Sequence, residues 1–352
     1  MTAKILQLVL RGLNAVRKPA NPILIVIINP KDVVLRLNVQ KRNKLNYLQL
    51  YNSLSKITLI LIFSVICAGG FVRMTGSGMG CPDWPKCFGL WIPPTDASAL
   101  PQNYKEIYAD RGYDVLDFNV YNTWIEYINR LLGLVSGIFC FFLLLVSIFT
   151  RVKWLIFSTF LLVILMAFQG LMGAKVVYSV LEPFKITIHM FIALLIISLL
   201  LFLYRATIER IISYSDLAKK WIVLAILISL GQIILGTQVR EAVDILIKDY
   251  DKVSLIAYLP SVFSTHKIIA LLVLISNIGI VFYYRKKWAN FLPEISGIIF
   301  IVTSLILTGS LMSHYGLIGI LQLLHLIFAA SLLILQVSIL LKQSSLPTVK
   351  FP

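Results

Sequence analysis

Apolar residues along this chain gather into eight runs, roughly 56–73, 124–149, 154–174, 186–204, 221–239, 262–284, 295–312 and 319–341. Polar or basic stretches separate them. Each run is close to the roughly 20 residues that a helix needs to cross a hydrocarbon core. In lipid a segment must satisfy its own backbone N–H and C=O groups, so runs of this length are helices. The pattern predicts an all-α polytopic membrane protein with eight transmembrane helices. The polar punctuation also repeats. Gly69-x-x-Val72-Arg73 ends the first run, and Gly236-x-x-Val239-Arg240 ends the fifth. Asn129-Arg130 opens the second run as His266-Lys267 opens the sixth, while His189 opens the fourth and His325 lies early in the eighth. Asn129 and His189 are 60 residues apart, and His266 and His325 are 59 apart. A duplicated four-helix unit produces such spacing. The expected organisation is a basic extension over 1–55, a first four-helix bundle over 56–205 with an outer loop at 74–123, and a second four-helix bundle over 219–342.

Composition agrees. The chain has 352 residues, is 59% hydrophobic and has a mean hydropathy of +0.87, which excludes a soluble globule. Its net charge of +16 implies no nucleic-acid partner, because Lys and Arg concentrate at one set of helix ends. Ten lie within residues 1–56; others are Arg151, Lys153, Arg205, Lys219, Lys220, Arg285 to Lys287 and Lys342. By the positive-inside rule those segments are cytoplasmic, so both termini are expected inside and the lipid surface is a partner. The alternate loops hold Asp83, Asp96, Glu106, Asp110, Asp114 and Asp117. Residues 1–55 show no apolar stretch with a small-residue cleavage site, so no cleaved signal peptide is expected. They read as a loosely ordered cytoplasmic extension, with a short amphipathic helix at 4–16, a transit peptide and an upstream start as alternatives.

Asn129, His189, His266 and His325 then share one depth. Each lies a few residues inside the outer end of its helix, roughly 5–10 Å below it at 1.5 Å per residue. A lone histidine in a membrane bundle usually hydrogen-bonds a neighbouring helix. Two at matching positions of one repeat point instead to axial ligation of haem iron, since neutral imidazole ligates it well. His266 and His325 form a complete pair. His189 with Asn129 forms a half-complete one. Zinc fits less well, because two histidines without cysteine or carboxylate leave such a site underfilled. His314, beside Tyr315-Gly316, reads as a loop or interfacial residue.

Basic residues accompany the set: Arg73 and Arg240 at equivalent helix ends, Arg130 and Lys267 directly after the ligand positions. Cations so placed suit haem propionates, against the alternative of snorkelling to the interface. Glu126 stands three residues before Asn129 on the same helix face. Ionisable groups in membrane spans are costly, so an acid beside the half-ligated site is a candidate for proton handling. Between the first two runs lies Gly76-Ser77-Gly78-Met79-Gly80-Cys81-Pro82-Asp83-Trp84-Pro85-Lys86-Cys87-Phe88-Gly89. Its glycines and prolines predict a structured loop. A Cys81–Cys87 disulfide suits an oxidising outer compartment; a structural clip and thiol–disulfide exchange both remain open. Cys67 and Cys140 read as inert buried thiols.

With these residues in place, the chain resembles the haem A synthase family over roughly 56–342. The likeness rests on Val72-Arg73-Met74-Thr75-Gly76-Ser77-Gly78 with Cys81-Pro82-Asp83-Trp84-Pro85, and on Glu126-Tyr127-Ile128-Asn129-Arg130. It extends through Gln169-Gly170, His189, Gln232-Ile233-Ile234-Leu235-Gly236 with Val239-Arg240, His266-Lys267 and Gln322-Leu323-Leu324-His325. The resemblance implies that His266 and His325 hold a cofactor haem b. It implies that the first half takes haem O as substrate and oxidises its C8 methyl to a formyl group, supplying haem A to cytochrome c oxidase. Glu126 would be required for activity, the cysteine pair would be involved, and haem O synthase becomes a candidate partner. Many members carry histidine where this chain has Asn129, which leaves His189 as the obvious first-half ligand. Either the substrate iron is five-coordinate, with its open face toward Asn129 and Glu126, or this half has lost the oxidation. A quinol-oxidising cytochrome b, a haem-binding assembly factor without conversion and a transporter are the competing classes. A bacterial cytoplasmic membrane is expected rather than the mitochondrial inner membrane. Electron donor and oligomeric state, including a homo-oligomer, stay open.

Overall fold

The computed structural model describes residues 30–179, 183–208, 216–247, 249–251, 254–285 and 288–343. Eight long helices carry the chain: α1 (Pro30–Met74), α2 (Val120–Thr150), α3 (Lys153–Tyr178), α4 (Pro183–Ala206), α5 (Asp216–Leu246), α6 (Ser261–Tyr284), α7 (Trp288–Tyr315) and α8 (Gly319–Gln343). All eight are long and apolar enough to cross a membrane, α1 over Lys44–Met74. Every expected apolar run falls inside one of them. Among the described residues the only β pairing is an isolated bridge between Cys87 and Leu90. The protein is an all-α, multi-pass membrane protein.

The N-terminal extension departs from expectation. Residues 30–55, read as loosely ordered, are helical and run unbroken into the first span, which begins at Lys44 rather than near 56. The reason is periodic burial, not hydropathy. Leu48, Tyr51 and Ser55 share one helix face and are all buried. Tyr51 Oη lies 2.7 Å from Thr159 Oγ1 on α3, and Asn52 Nδ2 donates to Thr207 Oγ1 at 3.1 Å. The stretch 4–16 lies outside the described residues. From Lys44 onward the described residues form one compact unit.

Within that unit the two repeats have their own cores. Leu143, Leu155, Leu162 and Leu200 centre the first, and Ile222, Ile280, Phe291 and Leu332 the second. They are not separable bodies. Ala330 and Leu333 of α8 belong to the first core, and Ile226 of α5 packs against both. In lipid, helix association rests on close packing and interhelical hydrogen bonds, because the tails are as apolar as leucine. Gln336 on α8 donates to Ser229 Oγ on α5 (3.0 Å) and Asn277 Oδ1 on α6 (3.1 Å), tying three helices at a buried point. Buried Glu294 on α7 joins Lys342 Nζ (2.7 Å) and Arg205 Nη2 (3.4 Å), linking α4, α7 and α8.

Small residues set the closest approaches. A Cβ on Gly279 of α6 would stand 2.2 Å from Trp221 Nε1, which donates to the Ser276 carbonyl at 2.8 Å. At Gly231 on α5 the same atom meets nothing within 4 Å. Gly279→Ala should therefore lower stability by about 1–3 kcal/mol, the usual overpacking cost. Gly231→Ala should leave it unchanged or slightly raised. Thermal unfolding of the detergent-solubilised variants checks the contrast; equal midpoints would refute this account of the α5–α6 contact.

Candidate functional site

Duplication and helix direction bring the four chosen positions to one end of the bundle. His266 is the sixth residue of α6, His189 and His325 are the seventh of α4 and α8, and Asn129 is the tenth of α2. His314, read as loop or interfacial, sits in the last turn of α7, exposed, with Nδ1 2.9 Å from the Ser310 carbonyl oxygen. Cys140 is buried and Cys67 only half-buried.

The imidazoles of His266 and His325 lie side by side, with ring centroids 6.4 Å apart and planes at 58°. Two imidazoles binding one metal from opposite sides, each at about 2.0–2.1 Å as for zinc, put their centroids roughly 6 Å apart. The spacing fits a shared iron. Among the described residues no three His, Cys, Asp or Glu side chains converge to cage an ion.

A glycine lies against each ring. A Cβ on Gly236 (α5) would lie 3.3 Å from His266 Cε1, on Gly309 (α7) 3.4 Å from His325 Cε1, and on Gly173 (α3) 3.5 Å from His189 Cε1. Two glutamines brace the same turns: Gln232 Nε2 donates to the His266 carbonyl at 2.9 Å and Gln169 Nε2 to the His189 carbonyl at 3.0 Å. Buried polar atoms without partners gather here, namely Nδ1 of His189 and His266, Oδ1 of Asn129, and Oε1 of Gln169 and Gln232. Such atoms are rare in native interiors and costly in lipid, so their concentration at these positions fits a bound polar or metal-bearing group.

The accompanying cations divide. Arg73 Nη2 and Arg240 Nη2 converge from the two repeats on one carboxylate, Asp244, at 2.5 and 2.8 Å. Arg240 also donates to Gln322 Oε1, three residues before His325. Asp244 escaped the sequence reading, although its place four residues after Arg240 was a usable signal. Lys267 is exposed, with its ammonium 4.5 Å from the Phe263 ring centroid.

Arg130 meets protein groups: its guanidinium pairs with Glu126 Oε1 and donates to carbonyls of Asp83 (2.7 Å), Lys86 (3.0 Å) and Cys81 (3.2 Å). Glu126 Oε2 in turn accepts the Cys81 N–H at 3.0 Å. A desolvated carboxylate one turn away and a ring of loop carbonyls take up the arginine's donors.

That clamp organises the cysteine loop. Cys81 and Cys87 are both buried, with their sulfurs at bonding distance, 2.02 Å. Gly80 passes so close to α2 that a Cβ would stand 2.3 Å from the Asn122 carbonyl oxygen. Asp83 accepts the N–H groups of Phe88 (2.6 Å) and Gly89 (2.8 Å), holding both at positive φ. Phe88 is buried edge-to-face among Tyr104, Tyr108, Tyr113 and Phe118, at centroid distances of 5.4–6.0 Å. Burial pushes the Tyr113 phenol above its ordinary pKa, so it stays protonated and donates to the Met79 carbonyl.

Eight apolar helices with imidazoles set close against neighbouring glycines at one end define a polytopic membrane protein suited to haem. The chain belongs to the cytochrome oxidase assembly protein family, whose model matches residues 53–337. It is 33% identical over 189 residues to a haem A synthase of Shewanella oneidensis, covering 52% of this chain and 54% of that protein. It is 30% identical over 155 residues to a haem A synthase of Ehrlichia canis (40% and 44%). It is 26% identical over 225 residues to one of Bartonella tribocorum (56% and 60%). The matches thus span about half the length of these curated relatives.

Removing one partner of a buried ion pair strands the other charge and costs about 3–5 kcal/mol. Arg130→Ala should destabilise the solubilised protein by that order and speed tryptic cleavage after the exposed Lys86. If cleavage and unfolding match the parent, the loop does not depend on this clamp.

Proposed function

We propose that this protein is a haem A synthase, oxidising the C8 methyl of haem O to a formyl group for use by cytochrome c oxidase. The adjacent imidazoles of His266 and His325, 6.4 Å apart, carry the reading. In it the second half retains a haem b between those two residues, and the first half takes haem O on His189. The bound haem b supplies one-electron redox chemistry, and the protein's task is placement and proton handling. Gly236, Gly309 and Gly173 lie against the rings, and Gln232 and Gln169 hold their backbones. Arg73, Arg240 and Lys267 are the cations offered to propionates; Asp244 holds the two arginines together meanwhile.

Asn129 is a poor iron ligand, but its buried, unpartnered Oδ1 would accept a hydrogen bond from a water molecule beside the substrate. Glu126, one turn before it, handles protons and, through Arg130 and the Cys81 amide, couples that site to the cysteine loop. The disulfide acts as a clip on this reading. Both termini lie in the cytoplasm of a bacterium, with the loop outside, because the basic helix ends require it. Haem O synthase is the natural donor of substrate.

Co-expression with a source of haem O in a host lacking haem A, followed by pigment extraction and chromatography, tests the proposal. The parent should yield haem A and retain b-type haem; His189→Ala should retain b-type haem and lose haem A. Bound b-type haem without any haem A from the parent would leave an electron-transfer cytochrome or a carrier.

A further inference from the structure

The two halves treat their histidines differently. Thr308 Oγ1 lies 2.8 Å from His325 Nδ1. The same hydroxyl is within donating distance of two carbonyls of its own helix, Ser304 (2.8 Å) and Leu305 (3.2 Å). A hydroxyl has one proton to give. When it gives that proton to either carbonyl, its oxygen accepts from the ring, which places the hydrogen on Nδ1 of His325 and frees the Nε2 lone pair. The first half lacks this device. Gly309 precedes His325 by 16 residues, and Gly173 precedes His189 by 16, which aligns Thr308 with Met172. A thioether is only a weak acceptor, and Nδ1 of His189 is buried without a partner. His266, the other member of the pair, is instead approached by Gln232 Nε2, 3.3 Å from its own Nε2.

We propose that Thr308 is a positioning residue that fixes the tautomer and direction of His325, making it the retained iron ligand, while Met172 leaves His189 unrestrained as the ligand of a porphyrin that must depart. The inference rests on the haem reading of His266 and His325. An imidazole donating from Nδ1 to a fixed acceptor is oriented and more basic at its other nitrogen, and losing such a partner typically costs about 10–100-fold in metal affinity. It also favours the ferric state, the more electron-poor of the two.

Two readouts test this on the full-length protein purified with its haem: transfer of haem to apomyoglobin, and the midpoint potential by optical redox titration. Thr308→Val, which keeps the shape and deletes the hydroxyl, should release haem about tenfold or more faster and titrate at a higher potential. A tenfold preferential loss of ferric affinity reads as a rise of about 59 mV. Thr308→Ser should restore both values. Met172→Thr, reloaded with excess haemin, should release its second equivalent more slowly than the parent; unchanged release would overturn the proposed contrast between the halves. Parent-like release and potential in Thr308→Val would sink the Thr308 assignment while leaving the haem reading intact. A parent protein purified without b-type haem would sink both.

Discussion

An imidazole inside a membrane bundle must find a partner, because hydrocarbon offers none. Here two imidazoles on α6 and α8 lie side by side, with centroids 6.4 Å apart, one beside the Gln232 amide and the other beside the Thr308 hydroxyl. Gly236 on α5 gives the His266 ring room, since a Cβ there would stand 3.3 Å from Cε1, while at Gly309 on α7 a Cβ would just touch the His325 ring. Glutamine braces, the interlocking cores and the ionic ties at the helix ends serve to keep that gap constant. Helix packing in lipid is weakly driven, so fixing a separation to within a fraction of an ångström takes many small contacts rather than one strong one.

The repeated pattern of the sequence is not kept identically in its two halves. In the second half both positions are histidine and His325 Nδ1 lies beside a threonine hydroxyl. In the first, asparagine stands at one of the two positions and Met172 aligns with the threonine. Onto the first half the chain added a loop with its own core around Phe88, anchored to α2 by Glu126 and Arg130. The proposed division into a retained cofactor and a transient substrate follows from these asymmetries: a site that must release its product gains nothing from a rigid ligand.

Much of the frame was legible in the sequence, because hydropathy reports length and composition directly. Eight runs became eight helices, and the repeat put His189, His266 and His325 within the first two turns of theirs. The start of α1 was not legible: Leu48, Tyr51 and Ser55 are spaced for burial but diluted by polar neighbours that hide them from a hydropathy window. The clamp on Arg130 was not legible either: repetition ties it to Lys267, while its partners are carbonyls of the cysteine loop more than forty residues earlier in the chain. Asp244 carried a local mark, four residues after Arg240 on one helix, whereas Thr308 meets His325 across two helices and no local pattern marks it.

Low-temperature EPR of the purified ferric protein bears most directly on the shared iron. The account predicts a low-spin signal of the bis-imidazole type that vanishes in His266→Ala and, separately, in His325→Ala. A high-spin signal in the parent, or a bis-imidazole signal that survives either substitution, would contradict it.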